Sequence, residues 1–339
     1  MTELVDKAAI TPPAGRRASR EAQFLRLIAK AGVVAYLIIL VLGFGLANNA
    51  FFEWRTLLAV VSVSTPLIVV AAAMTMCLIC GEVDLSVVGV VGLSSTITAL
   101  LLFNGIPWPV TLIAAVAAGA AVGMVNGLLT ARLLSVMPFF PSFFPTLATT
   151  ALALGIAESL LPSKQAIAIS DPAFKSIFGF HSTIDLPIFY ALVLVALMHI
   201  MLTRTGLGYS IQAVGANRRA SPLVGINVRR TKFWVLTISG MLCGLAGVLL
   251  AGYFQAGYSL LAKGYDLDAL GAAVIGGTAL FGGRGNVIAS ISGVLVLGVL
   301  NTGLQVLQVE PAVQLAAKGV LVILAVALNL YVLRRLSTL

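Results

Sequence analysis

The sequence has few charged residues and is correspondingly rich in apolar ones. Charged side chains make up 10% of the 339 residues, whereas a water-soluble domain carries about a quarter. Hydrophobic residues make up 60%, and the mean hydropathy is +1.06. A soluble globular domain is therefore excluded, and so are disordered and fibrous chains, because the sequence is neither low in complexity nor collagen-like in period. We predict an integral membrane protein.

Cysteine and histidine are scarce as well, which limits the chemistry open to the chain. Cys77, Cys80 and Cys243 lie in apolar stretches, where cysteine behaves as a small hydrophobic residue. His181 and His199 are predicted on opposite sides of the membrane. Phosphate-loop, zinc-protease and serine-hydrolase motifs are missing. We therefore expect that the protein is not an enzyme and that it has no catalytic residue, metal site or cofactor.

Ten apolar segments approach the length of about 20 residues that a membrane-spanning helix needs. The shortest segments, and the break from Gly81 to Ser86, leave re-entrant or discontinuous helices open, so the count ranges from about eight to eleven. The predicted fold is an all-α polytopic membrane protein with about ten transmembrane helices. The segments cover residues 31–47, 56–80, 86–103, 109–131, 142–161, 187–202, 233–256, 266–283, 286–307 and 312–332.

Basic residues predict the orientation. The net charge of +9 comes from residues in short loops, which indicates membrane topology and contact with lipid rather than binding of nucleic acid. With the amino terminus in the cytoplasm, sixteen basic residues face inside and four face outside. We predict cytoplasmic termini, a tail over residues 1–30, a transmembrane domain over 31–333 and a cytoplasmic end over 334–339. The four outside are Arg55, Lys164, Lys175 and Lys263.

Glycines at helical spacing predict a close helix contact. Gly119, Gly123 and Gly127 recur every four residues and share one helix face, on which a neighbouring backbone can approach. Gly240 and Gly244 repeat the pattern in the seventh segment. Static packing and a sliding face both remain open for these glycines.

Neutral amides are the main polar groups within the apolar segments. Asn126, Gln255, Asn301 and Gln305 suit hydrogen bonding to an uncharged polar solute, although bonds between helices would serve them equally well. Together with Asp84 they form the candidate translocation path. The missing acids, bases and nucleophiles argue against a proton- or ion-coupled carrier, which stays the alternative, and against an intramembrane enzyme.

The other ionisable groups within the apolar segments are expected to have structural roles. Asp266 and Asp268 open the eighth segment, where Asp268 is expected to cap the helix. Lys318 is expected to extend outward along the tenth segment. The glycine-dense residues 264–285 predict a weak helix that must lie in the bundle interior.

Residues 203–232 form the largest inside loop, with six basic residues and no acid. Attraction to lipid headgroups would by itself explain the positive charge of this loop, but not the order of its other residues. The ordered alanines and glycines and the late proline predict two short helices joined by turns.

This loop, with four further motifs, resembles the ribose-type sugar permeases of bacterial ATP-binding cassette (ABC) importers. The likeness covers most of residues 56–330. Glu82, Val88 and Pro145 depart from the family pattern: Glu82 stands where glycine is usual, and Pro145 is expected to interrupt the fifth segment. The motifs are residues 208–228, Gly81 to Val87, Pro141 to Leu147, Gly264 to Ala269 and Gly276 to Gly285.

The resemblance implies a type II ABC importer-like permease that carries a monosaccharide or similar solute across the inner membrane. Its implied partners are a second permease chain, identical or not, two ATPase subunits and an extracytoplasmic sugar-binding protein. Residues implied to couple to the ATPase are Ala213, Gly215, Ala216, Asn217, Arg218, Arg219 and Gly225. Residues implied to be structural are Gly81, Asp84, Asp266, Asp268, Gly276, Gly277, Gly282, Gly283 and Arg284.

Overall fold

The computed structural model describes residues 16–133, 141–162, 165–180 and 185–338, with side chains described between residues 32 and 327. Residues 1–15 of the predicted tail, His181 and Lys164 lie outside these ranges. The predicted boundary between tail and first span, at residues 30 and 31, falls inside one continuous helix.

The described residues form twelve α-helices and one short antiparallel pair of strands. The strands, β1 (Ile167–Ala168) and β2 (Ala256–Gly257), pair Ile167 with Gly257. Two 3-10 helices cover Asn49–Phe52 and Ser221–Val224. The α-helices are α1 Arg16–Ala47, α2 Trp54–Ile79, α3 Val87–Phe103, α4 Trp108–Leu133, α5 Phe143–Leu160, α6 Pro172–Phe178, α7 Leu186–Arg204, α8 Gly206–Ala216, α9 Val228–Phe254, α10 Tyr265–Ile275, α11 Val287–Val306 and α12 Pro311–Thr338.

The described residues do not confirm the predicted count of ten spans. Six of the described helices are long and apolar enough to cross a membrane, namely α2, α4, α5, α7, α9 and α11. Shorter apolar helical stretches cover Gly32–Ala47, Val87–Phe103 and Pro311–Ala327. Pro145 does not interrupt the fifth segment, because it lies in the first turn of α5.

The predicted helix over residues 266–283 is wrong in its second half. Helix α10 has 11 residues, which at 1.5 Å per residue is about half of a bilayer core. Beyond it, Gly277, Gly282 and Gly283 take positive φ values of 87°, 93° and 80°. This left-handed conformation cannot continue a right-handed helix, and it suits glycine because glycine lacks a Cβ. Residues 276–286 are therefore an irregular connection, here called the α10–α11 connector.

Helices α2 and α9 form the centre of the bundle. In each, 72% of the most apolar 18-residue window is buried, against 28% in α4, α5 and α7. A helix that is apolar on all sides and buried belongs in the interior, whereas the outer helices present apolar side chains outward. The three cysteines are free and buried in this core, as the apolar surroundings predicted.

Helices α4 and α9 contact each other through their glycines, which confirms the predicted contact. A Cβ on Gly240 would lie 2.9 Å from the Cα of Gly123, and a Cβ on Gly119 would lie 2.9 Å from the Cα of Gly244. On Gly127 it would lie 2.9 Å from the Cα of a residue of α9. Each glycine stripe thus lies against the other with backbone on backbone.

The two ends of the bundle differ in structure. One end, here called the loop end, carries residues 203–232. At the opposite end α6 packs on the end of α9, where the Phe178 backbone leaves no space for a side chain at Gly252. Asp171 begins α6 by accepting a hydrogen bond from the backbone N–H of Phe174 at 2.6 Å. The paired strands β1 and β2 lie at this opposite end as well, since β2 follows α9 directly.

Candidate coupling and translocation site

The loop of residues 203–232 folds as two short helices, as predicted. Thr205 caps α8, because its hydroxyl accepts the backbone N–H of Gly208 at 3.2 Å. Gly225 ends the second, 3-10 helix with φ 81°. Asn227 then begins α9 by accepting the backbone N–H of Arg230 at 3.0 Å. Polar caps at the starts of α8 and α9 explain why this loop is ordered.

The exposed surface of this loop is partly apolar. Leu223 is 87% exposed, Val224 71% and Tyr209 68%. These three residues were not predicted from the sequence, although apolar side chains in a basic loop between spans are a usable signal for a binding surface. Of the seven predicted coupling residues, Ala216, Asn217, Arg219 and Gly225 are exposed, while Ala213, Gly215 and Arg218 are partly buried.

Arg218 is the partly buried cation of this surface. It lines a pocket of about 510 Å³ with Pro222, Ile226 and Arg229. Partial burial lowers the pKa of the Arg218 guanidinium, which nevertheless remains charged at neutral pH. The pocket therefore presents positive charge beside apolar surface.

Gly215 packs closely against its own chain. A Cβ on Gly215 would lie 2.7 Å from the backbone nitrogen of Gly283 and closer still to the carbonyl oxygen of Ile79. This contact within the chain was not predicted from the sequence. Glycine is needed there because backbone occupies the position of a side chain.

Four glycines from three segments meet at this point, and we call them the glycine junction: Gly81, Gly215, Gly282 and Gly283. A Cβ on Gly282 would lie 2.8 Å from the carbonyl oxygen of Gly215 and 3.1 Å from the Cα of Gly81. The backbone N–H of Gly283 donates to the carbonyl of Ile79 at 2.9 Å. The junction thereby joins α8, the end of α2 and the α10–α11 connector.

Beside the junction, residues 80–86 connect α2 to α3, and we call them the α2–α3 turn. Within it Asp84 is fully buried. Its Oδ1 accepts from the backbone N–H of Ser86 at 2.9 Å and from the Ser86 hydroxyl at 2.5 Å. Its Oδ2 accepts from the Ser239 hydroxyl at 2.6 Å. These three donors supply the hydrogen bonds that a buried carboxyl group needs.

Asn126 belongs to the same network. Its Nδ2 donates to the Ser86 hydroxyl oxygen at 2.9 Å, and its Oδ1 accepts from the Thr149 hydroxyl at 2.7 Å. Asp84 and Asn126, both predicted for the translocation path, thus belong to one hydrogen-bond network. Their polar atoms hold the α2–α3 turn to α4, α5 and α9.

A buried ion pair between Glu82 and Lys232 was not predicted. The side chains are 0% and 2% exposed, and Glu82 Oε1 accepts from Lys232 Nζ. Glu82 Oε2 also accepts from the backbone N–H of Ser142 at 3.1 Å. Lys232 was predicted to belong to the basic loop, but it lies near the start of α9 and points inward. The only hint of this ion pair in the sequence was that Glu82 stands where the family usually has glycine.

Asp268 and Lys318 form a second ion pair, which corrects two predictions. Their Oδ2 and Nζ atoms are 2.9 Å apart, with side chains 7% and 19% exposed. Gly264 occupies the N-cap position of α10 and no side chain caps that helix, so Asp268 is not a cap. Lys318 joins α12 to α10 instead of extending outward. Asp266, in the same turn as Asp268, is partly exposed.

The remaining amides lie apart from the Asp84 network. Gln255 ends α9 in the left-handed conformation, is exposed, and its carbonyl accepts from the backbone N–H of Ile169 at 2.8 Å. Asn301 and Gln305 lie one turn apart on α11, so they share a face. Asn301 is partly buried and Gln305 is exposed.

The α10–α11 connector contains the other motif residues. Gly276 ends α10, and a Cβ there would lie 2.5 Å from the carbonyl oxygen of Ala289. The carbonyl of Arg284 accepts from the backbone N–H of Ala279 at 2.9 Å, which closes the turn, and the Arg284 side chain is exposed.

A bundle of apolar helices with two interrupted segments, both reaching a helical loop at one end, is the architecture of a multi-pass membrane transporter. The family model for the branched-chain amino acid transport system / permease component matches residues 56–326. The chain belongs to this family. It is a transport permease and not an enzyme.

Related permeases are similar in sequence to this protein over nearly its whole length. The D-allose transport system permease protein of Escherichia coli (strain K12) is 31% identical over 88% of this chain and 91% of its own length. The ribose import permease protein of Bacillus subtilis (strain 168) is 30% identical, over 88% and 92%. A probable ABC transporter permease protein of E. coli (strain K12) is 31% identical over 96% of both chains. No solved structure matches the chain.

Proposed function

We propose that this chain is the membrane-spanning subunit of an ABC importer for a monosaccharide or similar polar solute. The observation that carries the proposal is the identity of 30–31%, across nearly nine-tenths of the chain, to permeases for ribose and D-allose. The transmembrane domain covers residues 31–333, with residues 203–232 as its coupling loop and short cytoplasmic segments at both ends.

Two ATPase subunits are the proposed partners at the loop end. The exposed Tyr209, Leu223 and Val224 supply apolar anchors, and Arg218 and Arg219 supply flanking charge. Interface anchors are side chains that become fully desolvated, with tyrosine among the commonest, whereas exposed ion pairs contribute only about 0.2–1 kcal/mol each. The three apolar side chains are therefore expected to matter more than an arginine that stays exposed.

Leu223→Asp tests this interface. Because Leu223 is 87% exposed, the substitution leaves the permease fold intact while placing a charge where an apolar anchor is needed. At equal abundance in the membrane, we expect ATPase co-purification to be lost with Leu223→Asp and retained with the matched Leu223→Met. Full co-purification and full transport with Leu223→Asp would show that Leu223 is not part of the interface with the ATPase.

Both termini are proposed to be cytoplasmic, in the inner membrane, with residues 162–186 outside. The support is the basic asymmetry between the loops. Cysteine labelling with a membrane-impermeant maleimide tests it, because Ser176 on α6 and Ala220 in the coupling loop are both exposed. We expect Ser176→Cys to react from outside and Ala220→Cys to react only after permeabilisation. The reverse labelling pattern would show that the chain has the opposite orientation in the membrane.

The translocation path is proposed to involve Gln255, Asn301 and Gln305, whose amides can exchange hydrogen bonds with sugar hydroxyls. Asp84 and Asn126 instead hold the helices, because their polar atoms already have partners. A second permease chain completes the membrane part, and an extracytoplasmic sugar-binding protein delivers the solute.

Uptake by cells lacking the gene tests the substrate class. We expect uptake of at least one labelled monosaccharide, with D-ribose and D-allose tested first, to fall and to return with the wild-type gene. Gln305→Ala should lower that uptake, while the conservative Gln305→Asn retains more of it. Unchanged uptake of every sugar, together with loss of an amino acid, would refute the substrate class.

A further inference from the structure

The coupling loop contacts two consecutive residues of the α2–α3 turn, once at the end of α8 and once near the start of α9. At the end of α8, Gly215 packs through backbone atoms against Gly81 and against Gly282 of the α10–α11 connector. Near the start of α9, Lys232 pairs with Glu82 in a fully buried site. The intervening residues 216–231 therefore leave and re-enter the bundle at the same place.

These attachments can transmit a displacement. At the glycine junction, backbone lies directly on backbone, so no side chain can rotate to absorb a shift. At the ion pair, both charges are shielded from water, so separating them would leave an unpaired buried charge. Close-packed interiors respond to small shifts by moving connected elements rather than by compressing.

From the α2–α3 turn, hydrogen bonds lead to three further helices. Asp84 accepts from Ser239 of α9 at 2.6 Å. Ser86 accepts from Asn126 of α4 at 2.9 Å. The carbonyl of Leu85 accepts from a threonine of α5 at 2.6 Å. A shift of this turn would thus reach α4, α5 and α9 together.

We propose that the α2–α3 turn is the element through which the coupling loop moves the membrane-spanning helices, with Gly215 and Lys232 as its two attachment points. Glu82 and Lys232 are positioning residues in this scheme. The inference rests on the proposed function, because it takes the loop to be docked on an ATPase. It adds the route by which docking acts on the transport path.

The test is the number of ATP molecules hydrolysed for each sugar imported, measured in proteoliposomes with the ATPase subunits and binding protein. The first variant is the double substitution Glu82→Met and Lys232→Met, which replaces the ion pair by apolar side chains of similar length. Such replacements of buried pairs are often neutral or stabilising, and methionine adapts to irregular space. We expect the ATP-to-sugar ratio to rise by about threefold or more, the size of a typical coupling change.

The second variant, Gly215→Ala, introduces a Cβ into the glycine junction. Gly206→Ala is its matched control, because Gly206 lies on the same helix and a Cβ there meets nothing within 4 Å. We expect the ratio to rise with Gly215→Ala and to equal the wild-type ratio with Gly206→Ala. Melting temperatures measured in parallel separate loss of coupling from loss of folded protein.

The outcomes distinguish the inference from the proposed function. A wild-type ratio in the double methionine variant, whatever its stability, would overturn the role of the ion pair in coupling. If that variant does not fold, Gly215→Ala decides, and a ratio equal to that of Gly206→Ala would overturn the inference. If the wild-type assembly neither binds the ATPase nor imports any sugar, the proposed function itself fails.

Discussion

The contact between α4 and α9 requires glycine at position 240, and the substitution Gly240→Ala perturbs it with a single methyl group. The added Cβ would lie 2.9 Å from the Cα of Gly123 and closer still to the carbonyl oxygen of Gly119. Real Cβ atoms essentially never approach within 3.0 Å of another heavy atom. Both neighbours are backbone, so no rotamer change relieves the overlap and the helices must separate.

The expected magnitude follows from two opposing effects. Overpacking a well-packed interior costs about 1–3 kcal/mol, whereas replacing a helical glycine by alanine gains about 1 kcal/mol. Gly155→Ala on α5 has the second effect alone, because an added Cβ there meets nothing within 4 Å. The difference in unfolding free energy between the two variants therefore isolates the overlap, at about 1–3 kcal/mol.

Apparent melting temperatures in detergent measure this difference. Because membrane proteins of this size commonly unfold irreversibly, both variants are heated at one rate and concentration. We expect Gly240→Ala to melt several degrees below Gly155→Ala. Equal melting temperatures would show that the two helices do not approach as closely as their backbones indicate.

Three further predictions concern the buried polar groups and thiols. Asp268→Asn removes the charge that pairs with Lys318, and because the two side chains are only 7% and 19% exposed, we expect a loss of about 3–5 kcal/mol in the same melting assay. Ser239→Ala removes one of three donors to the buried Asp84 side chain and should cost less, about 1.5–3 kcal/mol; the reverse order would contradict this ranking. The buried thiols should resist maleimide in the folded protein and react after denaturation, as counted by mass spectrometry. They are Cys77, Cys80 and Cys243.

Local patterns in the sequence predicted much of this architecture. Apolar runs located the helices, because membrane insertion depends on the length and hydropathy of each segment by itself. Glycine spacing predicted the contact face of α4, since the helical period alone places Gly119 and Gly123 on one side. The sequence motifs also include Gly81, Gly215 and Gly282 of the glycine junction. Each of these inferences uses residues within about one segment.

Tertiary structure alone decided what those residues do. Glu82 and Lys232 are 150 positions apart, so their pairing depends on how α2, α5 and α9 pack together. The charge pattern had assigned the lysine to the basic inside loop. The pairing of Asp268 with Lys318 also depends on packing between distant segments. From their positions in the sequence, Asp268 was expected to cap a helix and Lys318 to extend outward. The close packing of Gly215 on the carbonyl of Ile79 was likewise not predicted. Which surface a residue faces is a property of packing between distant segments, and no local pattern encodes it.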